Sequence, residues 1–163
     1  MPLTPAQQAL VKTAVQADPT LNALPQTADG AYAIAEILST IASPDFIVWK
    51  TNVDPNEVMK NGMDWTRVDN LSVGKARIWE WLTKLGAINA SKLNVRAGID
   101  AAWVGTAADL AVRAAIYVHC KRQANRLEKI LATGLGIDAT PATMGYEGRA
   151  SYQEIALAMG WVV

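Results

Sequence analysis

The chain has 163 residues, of which 51% are hydrophobic and 18% charged, and its fifteen basic side chains balance fifteen acidic ones. That balance excludes a strong overall field that would steer the molecule to nucleic acid or an anionic membrane, and the apolar content excludes a disordered tail. The longest stretch without a charged residue is the 11 residues from Met1 to Val11, too short to cross a bilayer, and one cysteine with one histidine excludes an internal disulfide and a zinc site of Cys and His ligands.

The first residues, Met1 to Pro5, carry neither the basic nor the apolar region of a secretory signal, so a cytoplasmic protein is expected. Thr4 reads as a helix N-cap, with Pro5 at the first helical position and Gln7 completing a capping box. Leu10, Val11, Ala14 and Val15 then recur at helical spacing. A helix over about 5–17 follows, stopped by Pro19, which disfavours helical geometry in the residue before it. Residues 19–27 carry two prolines and read as an ordered linker whose Leu21 and Leu24 tuck against the core. Thr27 or Asp29 caps the next helix, in which Tyr32, Ile34, Ile37, Leu38 and Ile41 form a broad apolar stripe ending at Ser43-Pro44.

Phe46-Ile47-Val48-Trp49 is strand-like in composition, but an isolated strand leaves its backbone unsatisfied. It is read as an extended connector, and a neighbouring subunit's sheet is one place where residues 46–50 find a partner. Asp54-Pro55-Asn56-Glu57 starts a short helix over about 55–61, ended by Asn61-Gly62. Ser72 caps a helix running to Leu85 with Gly86 as its stop. Ile78, Trp79, Leu82 and Leu85 form its apolar face and Trp81 points elsewhere. A further helix is expected over about 91–104, weakened by Gly98 and ended by Gly105.

From Thr106 to Thr133 the pattern predicts one long helix, capped by Thr106 with Asp109 in the first turn and stopped by Gly134. Only Asp109 and Arg113 interrupt its first half with charge, so that half is expected to be enclosed on most sides with the other helices packed around it. Residues 135–150 form a Gly- and Pro-containing loop, and Ser151-Tyr152-Gln153-Glu154 is a capping box for a terminal helix over 151–160. The expected fold is mainly α: a single domain over 1–163, a helical bundle around one long helix at about 107–133, with an N-terminal helix within 1–18 and a short terminal helix.

Candidate chemistry is sparse. His119 and Cys120 are adjacent and project about 100° apart on a helix, so they read as a surface or boundary residue and a buried small apolar group. Lys121, Arg122, Arg126 and Lys129, against Glu128, give the run 121–129 a local charge of +3, suited to phosphates or an acidic protein surface. No aromatic residue interleaves with it, so nucleic acid is not the favoured partner. Trp79 and Trp103 fit a core. Trp81 and Trp161 fall off the apolar faces and, with Tyr146, Arg122 and Arg126, are the candidate interface residues. Glu147 and Glu154 make a poor carboxylate pair for glycoside cleavage, because Glu154 already serves the capping box and Glu147 has no neighbour to raise its pKa. No catalytic residue, cofactor, metal ligand, membrane contact or small-molecule substrate is assigned, and the chain is not expected to be an enzyme.

Asp18–Ala35 (DPTLNALPQTADGAYAIA), Ser43–Val53 (SPDFIVWKTNV), Arg126–Gly134 (RLEKILATG) and Pro141–Gly148 (PATMGYEG) followed by Ser151-Tyr152-Gln153 occur in this order. In these segments the chain resembles poorly characterised proteins of tailed-phage and prophage genomes. The resemblance implies a virion or assembly component of head, neck or tail, assembled in the host cytoplasm, whose partners are other virion proteins and itself. The alternative is an intracellular phage accessory protein binding nucleic acid or a host protein through the basic 121–129 helix end.

Overall fold

Side-chain caps start most helices where the sequence places them. In the computed structural model, which describes residues 2–61, 63–84 and 86–162, Thr4 Oγ1 accepts the Gln7 N–H. The Thr4 N–H donates to Gln7 Oε1 at 2.9 Å, opening α1 (Pro5–Ala17). Asp18 ends α1 and accepts from the N–H groups of Thr20 and Leu21, so the expected linker contains one turn of helix, α2 (Pro19–Asn22). Thr27 caps α3 (Ala28–Ser39). The remaining described elements are β1 (Ile47–Trp49), α4 (Pro55–Asn61), α5 (Trp65–Asp69), α6 (Val73–Lys84), α7 (Leu93–Ala102), α8 (Ala107–His119), β2 (Lys121–Gln123), α9 (Arg126–Leu131) and α10 (Tyr152–Met159). The protein is mainly helical. Two expected features, the stop at Gly62 and Leu85 on the apolar face of α6, lie outside the described residues.

The chain divides into two compact units, Met1–Val48 with Gln123–Val163, and Trp49–Arg122. In the first, α10 packs on α1 and α3, and α9 packs on the same two helices. Val11, Val15, Ile34, Leu38, Leu127 and Ile155 fill the space between them. Leu21 is buried there and Leu24 rests against the cluster, as the apolar linker composition predicts. A Cβ on Gly30 would lie 1.8 Å from the Pro25 carbonyl oxygen, so only glycine lets the first turn of α3 approach this linker. Tyr32 is exposed because it sits to one side of the buried face formed by Ala31, Ile34, Ala35 and Leu38. Ile41 is exposed because Thr40 turns extended and takes it out of helical register.

In the second unit α6 packs on α7 and α4 on α8. Trp79 and Trp103 meet edge to face, with ring centroids 5.7 Å apart, amid Val58, Ile99, Ile116 and Cys120. Both tryptophans belong to the core, as their spacing predicts. A second aromatic cluster stacks the Arg96 guanidinium 4.8 Å from the Trp49 ring, while Tyr117 meets the same ring edge-on.

The expected long helix is two helices with a strand between them. α8 stops at Cys120, Lys121–Gln123 form β2, and α9 begins at Asn125. Pairing explains the break. Cys120 O accepts from Lys50 N–H at 2.8 Å and Ala124 N–H donates to Phe46 O at 2.9 Å, an antiparallel register that satisfies the backbone of residues 46–50. Ile47 also donates to Gly136 O and accepts from Ala142 N–H. The strand therefore finds its partners within its own chain, which removes the expectation that it completes a neighbour's sheet.

Glu128 anchors the restart. Its carboxylate, 2% exposed, accepts the Asn125 N–H at 2.9 Å on one oxygen and the Gly148 N–H at 2.9 Å on the other. Asn125 answers with Oδ1 on the Glu128 N–H at 2.7 Å and with its amide on Gly148 O at 2.8 Å. Glu128→Ala, which strips the acceptor from two backbone donors in a buried setting, is expected to destabilise the protein by about 3 kcal/mol in urea denaturation. Asn125→Ala, losing mainly the cap, is expected to cost about 1 kcal/mol in the same measurement.

Candidate functional site

The candidate interface residues fall in both units, Trp81 and Arg122 in the second and Tyr146, Trp161 and Arg126 in the first. Trp81, 62% exposed, stands on the outer side of α6 between Arg77 and Lys84. Trp161 and Tyr146 are half-buried against the core of the first unit, and the Tyr146 hydroxyl donates to Arg149 O at 2.8 Å. Arg126 pairs with Asp18 at 2.7 Å. Arg122 lies in β2 and interacts within the chain. The basic run is thus split between a strand and a short helix, because β2 interrupts the expected helix end. Lys129 reaches the Pro44 carbonyl at 3.4 Å and sits 5.6 Å from the centre of the Phe46 ring. These cations serve internal contacts.

A different surface comes from the first half of the expected long helix. The absence of charge there predicts enclosure, but α8 is buried on one side only. Val112 and Ile116 enter the core, and Asp109 binds Arg67 of α5. Tyr117 and Arg113 both reach Asp100 of α7, at 2.8 and 3.5 Å. The opposite side carries Ala107, Ala111, Ala114 and Val118, all exposed, with Val118 69% accessible. Leu110 flanks this strip on one side, while Ala108 and Ala115 flank it on the other. Between the latter flank and α4–α5 runs an open groove of about 400 Å³, whose far wall includes Lys60, Met63 and Asp64. A solvent-facing helix side without a charged residue over three turns is what a docking surface presents, since an ordinary exposed helix side is polar. The missing charges were visible in the sequence; which side of α8 faces outward was not.

The titratable groups near this surface hold structure together. The Arg67 guanidinium, 2.6 Å from Asp109 Oδ1, and the Thr106 N–H, 3.0 Å from Oδ2, pull the Asp109 carboxyl from 3.8 to about 2. Asp109 is at once the capping-box residue of α8 and its tie to α5. Burial, together with the bond to Asp100, raises the pKa of the Tyr117 hydroxyl. Burial pushes the Cys120 thiol up to about 11, which leaves it protonated and unreactive at neutral pH. His119 is a half-buried boundary residue and Cys120 is fully enclosed, as their adjacency on a helix implies.

Glu154 spends both oxygens locally, accepting from Ser151 N–H at 2.8 Å and Leu3 N–H at 3.1 Å. Among the described residues no group of three or more His, Cys, Asp or Glu side chains is placed to hold a metal ion, and no helix is long and apolar enough to cross a membrane. Comparison of the chain with protein-family models, curated proteins and solved structures finds no match.

Two outcomes follow for the second unit. Asp109 has a folded pKa below its unfolded value, so its contribution is complete above about pH 4 and is lost as pH falls toward 2. Asp109→Asn is expected to lower stability at neutral pH and to flatten the acid side of the stability curve, read by denaturant titrations between pH 2.5 and 7. Cys120 is expected to react with a thiol reagent only at the rate of unfolding, so urea accelerates labelling far more than a rise in pH from 7 to 8.

Proposed function

We propose that this chain is a non-catalytic structural or assembly component of a tailed-phage particle, in head, neck or tail, acting through protein–protein contacts. The observation that carries the contact role is the outward side of α8, where Ala107, Leu110, Ala111, Ala114 and Val118 present apolar surface without a charged residue. The phage setting draws its support from the four ordered sequence segments. The polar groups that would serve a reaction are used inside the fold: Glu128 and Glu154 in caps, Asp109 against Arg67, Cys120 enclosed. The alternative role at the 121–129 run has weaker support, because Arg126 is neutralised by Asp18 and Lys129 is turned onto Pro44 and Phe46.

The test is protein identification in purified particles of a phage that encodes the chain. The protein is expected in fixed stoichiometry with the other virion proteins. Val118→Asp is expected to reduce its incorporation about tenfold while leaving the circular dichroism spectrum unchanged, since truncating or charging an interface anchor costs upward of 1 kcal/mol. Clean particles that lack the wild-type chain would refute the proposal.

A further inference from the structure

The outward residues of α8 have the spacing of a helix-pairing seam. Ala107, Ala111, Ala114 and Val118 follow one another at intervals of four, three and four, the alternation that keeps one stripe facing a partner helix. Three of the four are alanines, so the seam is shallow and a second helix can approach closely only if its own surface is equally shallow. The most economical match for such a seam is another copy of itself, since a two-fold contact uses the same patch on both sides.

Charge on the flanks selects the orientation. Along the Ala108–Ala115 flank, the groove wall carries Lys60 and Asp64, both exposed and neither in an ion pair among the described residues. The other flank carries Leu110. In a parallel pair unlike flanks meet, leaving Lys60 and Asp64 opposite Leu110 and the Arg113–Asp100 pair, whose charges are already matched to each other. In an antiparallel pair like flanks meet, and Lys60 of one copy comes opposite Asp64 of the other. The helix dipoles favour the same choice, because antiparallel helices set opposite ends side by side. We infer that α8 pairs antiparallel with α8 of a second copy, Ala111 facing Ala114 across the two-fold axis, the two Lys60–Asp64 flanks meeting on one side of the seam and the two Leu110 side chains on the other. The inference rests on the reading of α8 as a contact surface and names its occupant.

Sedimentation equilibrium on the full chain is expected to show a reversible dimer in the micromolar range. Ala114→Glu, which places two like charges at the centre of the seam, is expected to weaken it at least about tenfold while the circular dichroism spectrum stays unchanged. Lys60→Asp is expected to weaken the dimer, and Lys60→Asp with Asp64→Lys in the same chain to restore it, because the swap returns the opposite charges across the axis.

Orientation is read independently by mixing Ala111→Cys with Ala114→Cys under mild oxidation; enclosed Cys120 stays out of the exchange. The mixed disulfide is expected to exceed either homodisulfide. A chain monomeric at several hundred micromolar, a dimer indifferent to Ala114→Glu, a charge swap that fails to restore association, or predominance of the homodisulfides would each overturn the pairing. A monomer found in purified particles would sink this pairing and leave the contact role standing. A dimer missing from the particles would do the reverse.

Discussion

The Glu128 carboxylate joins the start of α9, through Asn125, to Gly148 in the C-terminal loop. A buried carboxylate is tolerated only where hydrogen bonds replace its lost hydration, and here backbone N–H groups from two distant segments supply them. The node lies next to the place where residues 46–50 take β2 as a partner, since Ala124 donates to Phe46 and Arg126 N–H donates to Thr40 O. The strand's need for backbone partners ends α8, and the Asn125–Glu128 box starts the chain on a new helix that α1 and α3 cover. The C-terminal loop, which has no helix of its own before Ser151, takes its course from the same carboxylate.

The second unit solves a different problem. Its core is dominated by the edge-to-face pair of Trp79 and Trp103, large side chains contributed by α6 and by the residue just after α7. Beside the two indoles, α8 contributes Val112 and Ile116 with Tyr117 packed at the edge, and Cys120 follows at its C-cap. The other side of α8 is released from core duty. The polar ties that fix α8, Arg67 to Asp109 and Tyr117 and Arg113 to Asp100, all lie on the inward half, so the outward half is held rigidly without spending charge there.

That division gives the shifted pKa values of Asp109 and Cys120 structural causes. Asp109 is held low by a guanidinium and a helix cap, and Cys120 is held high by burial.

Local chemistry alone determined the helix starts at Thr4, Thr106 and Ser151 and narrowed that of α3 to Thr27 or Asp29, because a cap is settled within four residues and needs no distant partner. The cores around Val11 and Val15 and around Trp79 and Trp103 were legible from helical spacing for the same reason. The Asn125–Glu128 box was also written locally, but it lies inside an apolar-periodic run where periodicity reads as one continuous helix. Lys121-Arg122-Gln123 has no strand propensity, and it is a strand only because residues 46–50 lie beside it with unsatisfied backbone groups. Which half of an almost uncharged helix faces water, and therefore where the candidate surface lies, was decided the same way: periodicity cannot rank the sides of a helix that is apolar all round, and only the packing of α4, α5 and α7 chooses one.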